Sequence, residues 1–149
     1  MRELKIFHPN AKGTGSCLRV TYTKYGFMEF SIYPQGQMGD MSAFNFSWND
    51  GVSVFVDWRS LAEMLMVFRG ECESLRDGNG ILCVRAEGWS KLMLRNVIEP
   101  VHCYVLEIDD VDNDSRSTFQ LSLPEALGLS LIIEGVLHHT LVGGAHEQV

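Results

Sequence analysis

The sequence predicts an α+β fold in which a strands-then-helix unit, ββββα, occurs twice in succession. Three observations carry this. Apolar residues alternate with polar ones up to Asp57 and then switch to helical spacing from Leu61 onward. A second set of alternating runs begins after the Asp77-Gly78-Asn79-Gly80 turn and ends in a second helical stretch. The two switches lie 65 residues apart, so that Val54 and Val56 fall on Phe119 and Leu121, and the candidate helix caps Asp57 and Ser122 coincide.

In the first half, Leu4 to Phe7, stopped by Pro9, predicts an edge strand. Leu18, Val20 and Tyr22 alternate with Arg19 and Thr21, and Met28, Phe30 and Ile32 with Glu29 and Ser31. Phe44, Phe46 and Trp48 alternate likewise, and Asn49-Asp50-Gly51 reads as a hairpin turn into Val52, Val54 and Val56. Period two places one row of each strand on a buried face. Leu61, Met64, Leu65 and Phe68 then mark one face of a helix. Asp57 is its candidate N-cap, Ser60 with Glu63 an alternative capping box, and Gly70 its stop.

In the second half, Leu82 and Val84, Leu92 and Leu94, Tyr104 to Ile108, and Phe119 to Leu123 read as four strands. The helix that follows has Leu129, Ile132, Ile133, Val136 and Leu137 on one face. It starts at Ser122-Leu123-Pro124-Glu125, a capping box with proline in the first turn. Leu127, Leu131 and Leu141 make it apolar nearly all round. One small sheet covers only one side of such a helix, so the pattern predicts a homo-oligomer, dimer or tetramer, joined through the second helix. An irregular β-barrel closed by helices is the alternative architecture.

At 149 residues with 46% hydrophobic and 21% charged, the chain is expected to form one domain over 1–149, with pseudo-repeats at about 1–76 and 77–143 and a tail at 144–149. No uninterrupted apolar run reaches the ~18 residues that span a bilayer, and Met1 to Lys5 lead into no apolar signal region. No membrane partner is expected. Cys17, Cys72, Cys83 and Cys103 lack CxxC spacing and read as reduced thiols of a cytoplasmic protein. The net charge of −7 is uneven: residues 1–25 hold five cations against Glu3 alone, while 99–149 hold nine carboxylates against Arg116 alone. An anionic polymer would therefore be attracted only locally.

The motifs that could carry chemistry read as structural. Lys12-Gly13-Thr14-Gly15-Ser16 lacks the order of a P-loop and precedes a strand. Asp110, Asp112 and Asp114 resemble the start of a calcium loop, but Ser115 and Leu121 stand where glycine and glutamate are needed. His138 and His139 are neighbours on a helix and diverge by about 100°. Cys103 follows His102, and neighbours on a strand face opposite ways. A non-enzymatic protein without metal or cofactor is expected.

Strands followed by a helix, twice over, resemble the Whirly family and its relatives: positive cofactor four, the Pur-alpha repeat and kinetoplast guide-RNA-binding proteins. The similarity lies in Lys12-Gly13 leading into the strand Leu18 to Thr23, and in Trp48, a strand, a capped helix and then Arg69-Gly70-Glu71-Cys72-Glu73. It continues in the ending Leu137-His138-His139-Thr140-Leu141-Val142-Gly143. The segments Phe7 to Ser16, Phe68 to Ser74 and Glu125 to Ser130 are also similar to small bacterial proteins that share the Whirly-like fold and have no established activity. The resemblance implies a tetramer and single-stranded DNA or RNA bound along the sheets. With the apolar rows turned to the helices, the opposite face shows Arg19, Thr21, Phe27 and Tyr33 in the first half and Arg85, Lys91, Met93 and Arg95 in the second. The expected nucleic-acid contacts are Lys12, Gly13, Arg19, Lys24, Phe27, Tyr33, Lys91 and Arg95, cations for phosphates and rings for bases. The alternative is an acidic homo-oligomeric module that binds another protein.

Overall fold

The computed structural model describes residues 2–22, 26–36, 39, 41, 45–85 and 88–143, with the backbone alone at Val84 and Arg85. β1 (Arg2–His8), β2 (Ser16–Tyr22), β3 (Phe27–Pro34) and β4 (Val52–Asp57) form one antiparallel sheet in sequence order. α1 (Trp58–Phe68) follows. β5 (Ile81–Arg85), β6 (Gly88–Val97), β7 (Cys103–Asp110) and β8 (Ser115–Leu121) form the second sheet, again in order, and α2 (Leu123–His138) follows it. This is the predicted α+β architecture of two ββββα units.

One apolar cluster holds both units together. The even rows of β2 and β3 (Leu18, Val20, Met28, Phe30, Ile32) meet Val54 and Val56 of β4 and Leu61, Met64 and Leu65 of α1. Leu92, Leu94, Leu106, Ile108, Phe119 and Leu121 of the second sheet join the same cluster with Leu129 and Ile133 of α2. Each fully buried side chain of this size contributes about 1.5–3 kcal/mol. A charge buried on this side would have no partner, which is why the cations sit in the other row of each strand.

The helix signals act as the sequence suggests. Asp57 accepts a hydrogen bond from the Ser60 N–H at 3.0 Å. Gly70, at φ 78°, ends α1, with the Glu71 N–H reaching the Met66 carbonyl. Ser122 and Glu125 form the reciprocal capping box. α1 lies against α2, where Arg69 pairs with Glu134. These two residues are 65 positions apart, the offset of the repeat, so the ion pair joins equivalent positions of the two helices.

Two expectations need correction. Ile81 and Cys83 belong to the inward row of β5, whereas Leu82, expected there, is exposed, and the side chain of Val84 lies outside the described residues. The run Ile81-Leu82-Cys83-Val84 is apolar throughout, so alternation cannot choose its face; the register does, setting Ile81 opposite Leu92 and Cys83 opposite Ser90. The side chain of Arg85, expected outward, lies outside the described residues. Nor do Phe46 and Trp48 form a strand. Phe46 makes a single bridge to Gln35, the chain turns over Ser47–Asp50, and Phe44 lies outside the described residues.

α2 buries Ala126, Leu129, Ile133, Val136 and Leu137 and leaves Leu127 and Leu131 at 61% and 57% exposure. By length and mean hydropathy (1.2) the segment Leu123–Val142 passes as a membrane span, but its inner row is a core helix of the two-sheet cluster.

Glu125 ties the halves together. Its Oε1 accepts the Ser122 N–H at 2.9 Å, and its Oε2 meets His8 Nε2 at 2.8 Å, at the end of β1. The His8 ring stacks on Phe119, with centroids 4.4 Å apart. Burial raises the Glu125 pKa, but the Ser122 N–H and His8 outweigh it and leave the carboxyl below its ordinary 4.5. A lowered folded pKa gives stability that is present above the unfolded value and lost as pH falls through the folded one. Glu125→Gln is therefore expected to cost about 1 kcal/mol at neutral pH. Urea denaturation across pH checks this: the deficit should shrink below about pH 4.5, and a deficit constant with pH would contradict the assignment.

Candidate functional site

Because the helices and the core occupy one side of each sheet, the odd rows of β2 and β3 and the matching rows of β6 and β8 point the other way. These helix-free faces are where the predicted contacts fall, and the two faces differ.

On the first sheet, Lys5 opposes Arg19, and Arg19 opposes Ser31. Both cations are taken by one carboxylate: Glu3 lies 3.0 Å from Lys5 and 3.2 Å from Arg19. Tyr33 and then Glu3 hold the Arg19 pKa above its ordinary value. Lys5 and Arg19 in turn lower that of Glu3. The Arg19 ε-NH is buried without a hydrogen-bond partner. Phe27 is exposed, with Phe55 exposed on the neighbouring strand.

Tyr33 lies in the predicted row but is only 8% exposed, correcting its expected role as an open stacking surface. It forms a second small cluster with Cys17, Phe46 and Phe7. Trp48 closes this cluster from outside, 5.0 Å from Tyr33 and 6.4 Å from Phe7 between centroids, with the Lys5 ammonium 5.1 Å from its own ring centre. The backbone of Gly51 presses on the Tyr33 ring so closely that a Cβ there would lie 2.2 Å from it. The alternation of Phe46 and Trp48 in the sequence thus records packing onto the outer face, not a ladder.

Lys12 is exposed at a turn tip, but the backbone around Gly13 is already satisfied. Gly13 N–H donates to Asn10 O, Thr14 N–H to Asn10 Oδ1, and the N–H groups of Asn10 and Gly15 both donate to Gln35 Oε1. The loop is clamped rather than open to a phosphate. Lys24 lies outside the described residues.

On the second sheet, one cross-strand row runs Leu82, Lys91, Asp109, Arg116. Arg116 lies 2.8 Å from Asp109 and 3.8 Å from Glu107, and Arg95 lies 3.8 Å from Glu107. The carboxylates are the covered partners, at 12% and 20% exposure, and the guanidiniums stand above them at 53% and 62%. Asp109 and Glu107 hold the Arg116 pKa above its ordinary value. Trp89, two residues before Lys91 on the same face, is 49% exposed. Its backbone is clipped by the acidic turn: Trp89 N–H donates to Asp112 Oδ2 at 2.9 Å, and Val111 N–H to the Trp89 carbonyl. Asp110 accepts from Asn113 in the same turn. The Asp110–Asp114 run therefore builds a turn.

Trp89 and Arg116 were missed in the sequence. The signal for Arg116 was available, since Arg116, Thr118 and Gln120 form the polar row opposite Phe119 and Leu121. The signal for Trp89 was available too, since it stands two residues before Lys91 in the row that continues to Met93 and Arg95.

His102 and Cys103 line one cleft of about 450 Å³ with His8, Gln120, Ser122 and Glu125, because His102 precedes the strand. Both imidazoles already have partners, His8 with Glu125 of the same cleft and His102 with Asn96 at 2.9 Å. Burial pushes the Cys17 and Cys83 thiols up to about 11. Among the described residues no group of three or more His, Cys, Asp or Glu is placed to hold a metal.

Neither a protein-family model nor a curated protein sequence matches this chain. Solved structures do. The Trypanosoma MRP1/MRP2 structure aligns with a TM-score of 0.72 at 18% identity, over 95% of this chain and 87% of that one. A guide-RNA-binding protein complex bound to a guide RNA aligns with a TM-score of 0.72 at 18% identity, over 94% and 92%. WHY3 from Arabidopsis thaliana aligns with a TM-score of 0.67 at 11% identity, over 99% and 93%. Two four-stranded antiparallel sheets, each followed by a helix, and this agreement over nearly the whole chain establish a Whirly-like fold.

Proposed function

We propose that this chain is a non-enzymatic single-stranded nucleic-acid-binding protein that uses the helix-free faces of its sheets. One similar structure is a guide-RNA-binding complex holding its RNA, and another is a plant transcriptional regulator, PBF-2. The observation that carries the reading is the layering on the second sheet, where exposed guanidiniums lie above covered carboxylates beside an exposed indole. A protein of net charge −7 can present a locally cationic face in this way. Of the expected contacts, Lys91 and Arg95 carry the reading on the second sheet, joined by Trp89 and Arg116, whereas on the first sheet Arg19 is paired with Glu3 and the loop at Lys12 and Gly13 is closed by its own hydrogen bonds. The binding unit is the whole of 1–149, with its two pseudo-repeats, acting in the cytoplasm.

We further propose a homo-oligomer joined through α2. Leu127 and Leu131 are large, apolar and exposed on one helix face, next to a groove lined by Leu65, Gly135 and Leu137. Soluble proteins rarely leave such a row open. The acidic β7–β8 turn supports a second reading, an oligomeric protein-interaction module.

Fluorescence anisotropy with short single strands tests the first proposal. Binding should weaken with salt along a log–log slope of about −2, as expected for three phosphate contacts at roughly −0.7 each. Absence of binding at low salt, or binding indifferent to salt, contradicts it. A specific protein retained after nuclease treatment would favour the interaction module instead. Sedimentation tests the oligomer: the unaltered chain should run well above its 16.8 kDa protomer mass and Leu131→Glu at it. A monomeric unaltered chain contradicts the assembly.

A further inference from the structure

We infer that the duplicated sheets have divided their work: nucleic acid is held on the second sheet by Trp89, Lys91, Arg95 and Arg116, while the first sheet's face is closed by the chain's own residues 46–51. The inference rests on the nucleic-acid reading above and says which half performs it.

The first face lacks what a single strand needs. Its aromatic beside Arg19, Tyr33 at the end of β3, is sealed by Phe46 and Trp48 and clamped by the Gly51 backbone. Two backbone hydrogen bonds fasten this strap at its start, Gly36 N–H to the carbonyl of Asn45 just before it at 2.8 Å and Ser47 N–H to Pro34 O at 2.9 Å. Both described cations of this face, Lys5 and Arg19, converge on Glu3, which stays as exposed as they are. A phosphate there would meet the open Glu3 carboxylate along with the cations. Phe27 and Phe55 remain open, but the residues opposite them across the strand pair are Asp57 and Glu29, both carboxylates. Rings without neighbouring cations stack bases weakly against that charge.

The second face has the reverse layering. Glu107 and Asp109 are covered and serve as posts that hold Arg95 and Arg116 outward. An arginine already oriented loses less freedom on meeting a phosphate than a loose one. Trp89 stands two residues, about 7 Å, from Lys91 on the same face. Its backbone is fixed at two points by the β7–β8 turn. Stacking surface and cations are thus both present and both held in place.

The experiment compares full-length variants for binding to labelled oligo-dT and oligo-U by anisotropy, with circular dichroism and sedimentation as checks on fold and assembly. Trp89→Ala and Arg116→Glu should each weaken binding about tenfold or more. Trp89→Phe should recover most of the loss, which a merely structural role for the indole would not predict. Phe55→Ala and Lys5→Gln on the first sheet should change affinity less than about twofold. In a Trp48→Phe/Trp58→Phe protein, where Trp89 is the sole tryptophan, emission should be quenched on titration with the strand. Binding that survives in Trp89→Ala and Arg116→Glu, or falls equally in the first-sheet variants, overturns the division of labour and leaves the nucleic-acid reading standing. Failure of the unaltered protein to bind either strand overturns both.

Discussion

Phe30 of β3 and Phe119 of β8 are both fully buried in one apolar cluster, and the rest of the molecule depends on which side of each sheet that cluster occupies. A strand turns successive side chains to opposite faces. Once Leu18, Phe30 and Val54, and likewise Leu94, Leu106 and Phe119, are committed to the shared core, the row between them is committed to the other side. The cations and rings that could meet a ligand are placed by that same packing. Strand alternation sets the side on which Arg116 and Trp89 lie, and the covered carboxylates and the β7–β8 turn then hold them there.

The duplication is one of pattern, and it persists where the pattern is structural. The N-caps Asp57 and Ser122 and the Arg69–Glu134 pair all obey the 65-residue offset. It lapses where the pattern does not bear on the core. The first outer face carries an aromatic cluster beneath a strap, while the second carries guanidiniums above covered carboxylates. Selection for a common core constrains one face of each sheet and leaves the other free to diverge.

Much of this fold was legible in the residues. Alternation gave β2, β3 and β8 their inward rows, because polar residues interrupt them at every second position, and in β6 and β7 the flanking Lys91, Arg95 and Glu107 fix the same phase despite Met93 and Val105. It failed at Ile81-Leu82-Cys83-Val84, where every residue is apolar and only pairing with β6 chooses the face. It misled at Phe46 and Trp48, because aromatics packed over a sheet alternate in sequence much as a strand does. The site was less legible for a related reason. Sequence places Tyr33 on the outer row but cannot show that a distant segment covers it. Nor can it show that the carboxylates near Arg95 and Arg116 lie beneath the cations, so the acidity of the second half looked like an obstacle to an anionic ligand.

Backbone amide and indole NMR spectra, recorded with and without a short single strand, test the central claim most directly. The account predicts perturbations at the Trp89 indole and at amides of β6 and β8, with the buried rows and α2 unchanged. Perturbations concentrated on α1 and α2, or on the strap over Tyr33, would mean that the ligand does not use the side of the sheet that the core leaves open.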